Sequence, residues 1–124
     1  ALLLAEVLAH CSAVRVPLPS ESITHAWYKF YAFVKPEALA DGWSRDRILK
    51  EISVLGYPSF SGTCSEIYLE NCFQNAGIAP LERLPVAREL GETSLMFLVH
   101  PTISPEQMEA YAQAVRLVIT KAAA

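Results

Sequence analysis

Strand-like and helix-like segments interleave along the 124 residues. That order predicts an α+β fold: a small, mostly antiparallel sheet of about three or four strands with helices packed on one face. Three observations carry the expectation. An aromatic-rich run extends from His25 to Val34, a short apolar run covers Met96-Phe97-Leu98-Val99, and amphipathic helical patterns lie between them and at both ends of the chain. A content of 52% hydrophobic and 19% charged residues marks a folded chain, and the length suits a single domain, residues 1–124, with a core of its own.

Each element has a local reason. Leu3, Leu4, Val7 and Leu8 share one helical face, so residues 1–10 read as helix, the tail of one that begins in a longer chain. Val14-Arg15-Val16 is a short strand stopped by Pro17 and Pro19. In the run 25–34, Ala26, Tyr28, Phe30, Ala32 and Val34 point one way and His25, Trp27, Lys29, Tyr31 and Phe33 the other. Both sets are largely apolar, which predicts a central strand covered on both faces, one by this domain's helices and the other by a separate partner. Pro36 to Asp41 forms a helical turn ended by Gly42. Ser44 caps a helix over Arg45–Leu55 with Ile48, Leu49, Ile52 and Leu55 as its apolar stripe and Gly56 as its stop. A loop over 57–66 follows. Pro85 fits the first turn of a helix running to about Leu95. Ser104-Pro105-Glu106-Gln107 is a capping box, and the helix it opens buries Met108, Tyr111, Ala112, Val115, Val118 and Ile119.

Composition excludes several function classes. The net charge is −3 and no basic run occurs, so nucleic acid is not an expected partner. No segment approaches the ~20 apolar residues of a membrane span. Cys11, Cys64 and Cys72 form no CxxC pair, which suits free thiols in a reducing, cytoplasmic setting. His10, His25 and His100 are too far apart for a metal-ligand motif, and no phosphate-loop glycine pattern is present, so no metal site is expected.

The densest cluster of small and hydroxyl residues is the loop Gly56 to Tyr68. Its Ser59, Ser61, Gly62, Thr63, Ser65 and Glu66 are the candidate substrate-binding residues: alternating hydroxyls present hydrogen-bonding groups, and glycine permits close approach of a ligand or a second backbone. The plainer alternative is a surface loop or edge strand. Cys64 reads as an inert buried thiol; as a nucleophile it would require a base, and only His25 or His100 could serve. Glu66 and Glu70 read either as a carboxylate pair or as a solvated helix edge. Arg45 and Arg47 oppose the macrodipole at a helix start, which suits either a surface charge cluster or an anion clamp.

Five blocks in order resemble the C-terminal part of the DegT/DnrJ/StrS-type sugar aminotransferases. These are the aromatic strand opening at His25, the helix opened by Arg45-Asp46 and closed by Gly56, the loop Gly56–Glu66, the helix Pro85-Val86-Ala87-Arg88-Glu89-Leu90 with Ser94-Leu95, and His100-Pro101 leading to Pro105-Glu106. The loop departs from the family: where many members carry a His-Tyr-Pro turn, this chain has Ser61-Gly62-Thr63-Cys64-Ser65-Glu66. The resemblance implies a small domain of the fold-type I aminotransferase kind, C-terminal to a large domain that holds pyridoxal phosphate. The expected activity of the whole is transfer of an amino group from glutamate or glutamine to a nucleotide-linked keto-sugar, for cell-surface polysaccharide or sugar biosynthesis, by a homodimer. None of Lys29, Lys35, Lys50 and Lys121 lies in a segment like the family's cofactor-binding lysine. The chain alone is therefore expected to hold no cofactor, carry no catalytic residue and be inactive. The resemblance assigns loop 59–66 to orienting the sugar or its diphosphate. The rival expectations are a self-standing α+β module that binds a small ligand or dimerises, and a small thiol enzyme using Cys64.

Overall fold

The computed structural model describes residues 1–124, and its order of elements is α1 (Leu2–Leu8), β1 (Val14–Arg15), β2 (Phe30–Val34), α2 (Arg45–Val54), β3 (Ser59–Phe60), α3 (Asn71–Asn75), α4 (Pro85–Thr93), β4 (Ser94–Phe97) and α5 (Pro105–Ala122). Short 3₁₀ turns at Pro36–Ala38 and Ile67–Leu69 join these elements. The four strands form one antiparallel sheet in the order β1-β2-β4-β3, the predicted α+β architecture.

Register divides the sheet into two faces. Phe30 lies opposite Phe97 and Ala32 opposite Leu95, and with Val34 these side chains enter the core beneath α1, α2 and α5. Tyr31 opposite Met96 and Phe33 opposite Ser94 point to the second face. The core is completed by Leu4 and Leu8 of α1, Ile48 and Ile52 of α2, and the stripe Met108, Tyr111, Ala112, Val115, Val118, Ile119 and Ala122 of α5. Burial of a Val, Ile or Met side chain contributes about 1.5–3 kcal/mol, so this stripe is what fixes α5 against the sheet. Both helix caps form as their sequences dictate. Ser44 Oγ accepts from Arg47 N at 3.2 Å, and Ser104 and Gln107 exchange bonds of 3.2 and 3.0 Å. Tyr111 reaches across from α5 to donate its hydroxyl to the Pro58 carbonyl, and burial pushes that phenol up to about 12.

The structure corrects the expected elements at five points. The central strand starts at Phe30, not at His25. Neither β1 nor β4 extends opposite 25–29, and Trp27 takes φ 51° with its amide bonded to His25 Nδ1 at 2.9 Å, which turns the chain away from the sheet. The helix expected to reach Leu95 ends at Thr93, where the Thr93 hydroxyl donates to Glu89 O at 2.7 Å. Ser94 and Leu95 are taken into β4 by pairing with Phe33 and Ala32, so the strand expected at 96–99 runs from 94 to 97. A two-residue strand, β3, forms inside the expected loop because Ser59 and Phe60 find open partners on the edge of β4. The helical turn after Pro36 stops at Ala38.

Candidate functional site

The second face of the sheet carries a cleft of about 610 Å³, within the range of small-molecule sites. Strand alternation supplies one wall: Tyr31 and Phe33 project from β2 with their rings stacked at 6.4 Å and 17°. Helix α4 supplies the opposite wall. Its first turn starts at Pro85, and helical spacing aligns Val86, Ala87 and Leu90 on the cleft side beside Leu84. Thr63 and Ser65 close the rim, and Ser94 lies at the base.

The loop is seated by close packing. Gly62 has φ 90°, a region glycine occupies freely, and a Cβ there would lie 2.8 Å from Tyr31 Cε1. A Cβ on Gly91 of α4 would overlap Ser65 Oγ. The Ser94 hydroxyl donates to the Ser61 carbonyl, tying the loop's start to β4. The loop's far end is held by a carboxylate brace. Glu66 Oε1 accepts from Tyr68 Oη at 2.6 Å and from Arg83 Nε at 2.8 Å, and its other oxygen accepts from the second arm of the same guanidinium. Tyr68 Oη in turn accepts from Leu84 N at 2.9 Å, so the brace also fixes the start of α4. Arg83 foremost, with Tyr68, pulls the Glu66 carboxyl down to about 2, and the carboxylate raises the Arg83 guanidinium in return.

The six candidate residues therefore separate. Thr63 and Ser65 face the cleft, and Gly62 lets the loop settle on Tyr31. Ser61 acts through its carbonyl. Ser59 turns to α2, donating to Leu49 O at 3.1 Å, and Glu66 is engaged by Arg83 and Tyr68. Tyr31, Phe33, Ser94 and the apolar face of α4 are cleft residues beyond that set. The alternation of the aromatic strand was the available signal for the first two. Nothing local marked Ser94, whose place follows from register alone.

Next to this cleft, across α4, a polar groove is lined by Arg15, Lys35, Glu37, Arg88 and Glu89 among others, and the Arg15 guanidinium sits 4.5 Å over the Phe33 ring. Cys64 is exposed and not buried as expected, and its Sγ meets Glu70 Oε1 at 3.8 Å; His25 bonds the Trp27 amide and His100 bonds Thr102, so neither imidazole is placed as a base for the thiol. Chemically, the cleft can hold a partly flat, partly hydroxylated molecule between aromatic and aliphatic walls. Its lining holds no lysine for an aldehyde cofactor and no carboxylate for a pyridine nitrogen, so these residues do not fit pyridoxal phosphate by themselves. No group of three His, Cys, Asp or Glu side chains is arranged for a metal ion, and no helix is long and apolar enough to cross a membrane.

No family profile and no curated protein matches the chain. Solved structures do. An aminotransferase from Psychrobacter cryohalolentis is 45% identical with a TM-score of 0.91, the match covering 98% of this chain and 33% of that one. A DegT DnrJ EryC1 StrS aminotransferase from Brucella abortus shares the fold at 21% identity and a TM-score of 0.70, covering 91% of this chain and 27% of its own. Spr1654 from Streptococcus pneumoniae, assigned as a sugar aminotransferase and solved in a PLP form, shares it at 18% identity and a TM-score of 0.75, over 96% and 29% of the two chains. The chain thus spans about a third of the length of the aminotransferases it matches.

Proposed function

We propose that this chain, similar over nearly its whole length to aminotransferases of the DegT/DnrJ/EryC1/StrS type, is the C-terminal small domain of such an enzyme and orients its keto-sugar substrate. One observation carries the reading: 45% identity runs across 98% of this chain yet 33% of the neighbour. Half-burial of Tyr31 and Phe33 supports it, because an aromatic sheet face left part-open calls for a further covering element. That element is a large N-terminal domain of the same chain, which binds pyridoxal phosphate and supplies the amino-transfer chemistry when the cofactor is bound. The whole enzyme is a cytoplasmic homodimer that takes the amino group from glutamate or glutamine. Within it, Thr63 and Ser65 hydrogen-bond the sugar, while Tyr31 and Phe33 exclude water from its flat face.

The test uses the full-length protein, loaded with pyridoxal phosphate and assayed for transfer to nucleotide-linked keto-sugars. Thr63→Ala and Ser65→Ala should each raise KM for the keto-sugar several-fold, the scale of one lost hydrogen bond of about 0.5–1.5 kcal/mol, with the amino-donor half-reaction unchanged. Unaltered sugar kinetics together with a lowered melting temperature would reduce the loop to a tether. The 124 residues alone should show no absorbance band at about 410–430 nm on incubation with pyridoxal phosphate. A borohydride-sensitive band there would contradict the assignment of the cofactor to the large domain.

A further inference from the structure

We propose that Arg45 is a positioning residue for the cleft: its guanidinium sets the loop that carries Thr63 and Ser65, and through the loop the fit of the keto-substrate, without touching that substrate. The inference rests on the reading of the cleft as the sugar-binding surface.

Arg45 opens α2, where a positive charge opposes the helix dipole. Its side chain nevertheless turns inward and is only 18% exposed. Nη1 donates to Gly91 O at 3.1 Å and to Ser94 O at 3.3 Å, while Nε is neutralised by Asp46 at 2.6 Å. Gly91 lies in the last turn of α4, whose carbonyls lack intrahelical partners and whose dipole favours a cation. A charge misplaced at the start of one helix is therefore well placed at the end of another.

The two residues it holds are the two on which the loop rests. Gly91 lies directly against Ser65, with no room between them for a methyl group. Ser94 donates its hydroxyl to the Ser61 carbonyl. One guanidinium nitrogen thus fixes the junction between α4 and β4, and that junction fixes both ends of the segment 61–65. Arg45 is not itself among the residues lining the cleft. A lysine brings the charge on a shorter side chain, and it has no second nitrogen to hold Asp46 while the first meets both carbonyls.

In the full-length enzyme, Arg45→Gln should raise KM for the keto-sugar about tenfold, the scale of a sub-ångström misplacement of binding groups, and leave the amino-donor half-reaction within about twofold. Arg45→Lys should give an intermediate rise. Gly91→Ala displaces Ser65 while leaving Arg45 intact, and should reproduce the KM effect by a separate route. If Arg45→Gln does not fold, the lysine and alanine variants carry the test. Should Ser65→Ala raise KM while Arg45→Lys and Gly91→Ala leave it unchanged and only lower the melting temperature, Arg45 is a plain structural staple and the proposal fails. Neutral kinetics for Thr63→Ala and Ser65→Ala as well would instead overturn the reading of the cleft itself.

Discussion

At the scale of single residues, Glu66 shows how a candidate ligand contact becomes a brace. Its side chain is 11% exposed and bonded on both oxygens, chiefly to Arg83, which holds the carboxyl at about 2 against its usual 4.5. The sign of the linkage follows from that depression. The ionised form contributes stability that is fully present above pH 4.5 and is lost as the pH falls through about 2. Thermal melts across this window should show Glu66→Gln with a flatter acid limb than the wild type, and an unchanged slope would mean that the brace does not survive in solution. Arg83 is partly open to solvent, so the contribution is screened and the comparison belongs at low salt. Gly62 is the other decisive residue. Alanine there meets both an unfavourable backbone region and the Tyr31 ring, so Gly62→Ala should destabilise by more than about 1 kcal/mol in denaturant titration. Tyr31→Ala would remove the ring but not the backbone cost, so the double variant should recover only part of that loss.

At the scale of elements, α5 and β2 contrast what a local pattern specifies with what it leaves open. The capping box and the apolar stripe of α5 both stand where the residues placed them, from Ser104 through Ile119. Ser104→Ala should cost about 0.5–2 kcal/mol in unfolding free energy, since it strands the Gln107 amide at the helix start. A loss much below that range would mean water replaces the cap. The aromatic strand was legible in parity but not in length. Phe30, Ala32 and Val34 point inward as alternation requires, yet residues 25–29, with Trp27 and Tyr28 among them, form no strand. Strand length is set by the partner: β4 offers pairing only opposite 30–33, and the amide of Trp27 goes to His25 instead. The boundary between α4 and β4 moved for the same reason, because Ser94 and Leu95 pair with β2.

At the scale of the whole molecule, the chain exposes more than it should as a lone compact body. Its accessible surface is 8015 Å², and a monomer of 13.7 kDa is expected near 6,600 Å². The difference, about 1,400 Å², exceeds the roughly 800 Å² that each side of a standard interface buries. Residues 61–92 contain no buried side chain at all, and Ile67, Ile78, Leu81, Leu84 and Val86 are exposed along them. The 124 residues alone should therefore bind a hydrophobic dye such as ANS, and in the proposed two-domain enzyme the large domain should suppress that binding and slow amide exchange across 67–86. Dye binding that is equally weak in both forms would show that this face needs no cover.

Particular residues mark where the sequence was sufficient. Alternation and helical spacing determined which sides of β2 and α5 face the core, because those periodicities are properties of the backbone itself. Ser44 and Ser104 determined where helices begin, because a cap is satisfied within three residues of its own position. The cluster of small residues at 59–66 marked the loop, but not which of its members face the cleft. That was decided by tertiary structure: register placed Ser94 beneath Ser61, the approach of α4 pressed Gly91 against Ser65, and Arg83 engaged both oxygens of Glu66. Each of these contacts joins residues far apart in the chain. Their geometry depends on how whole elements pack, and no local pattern encodes it.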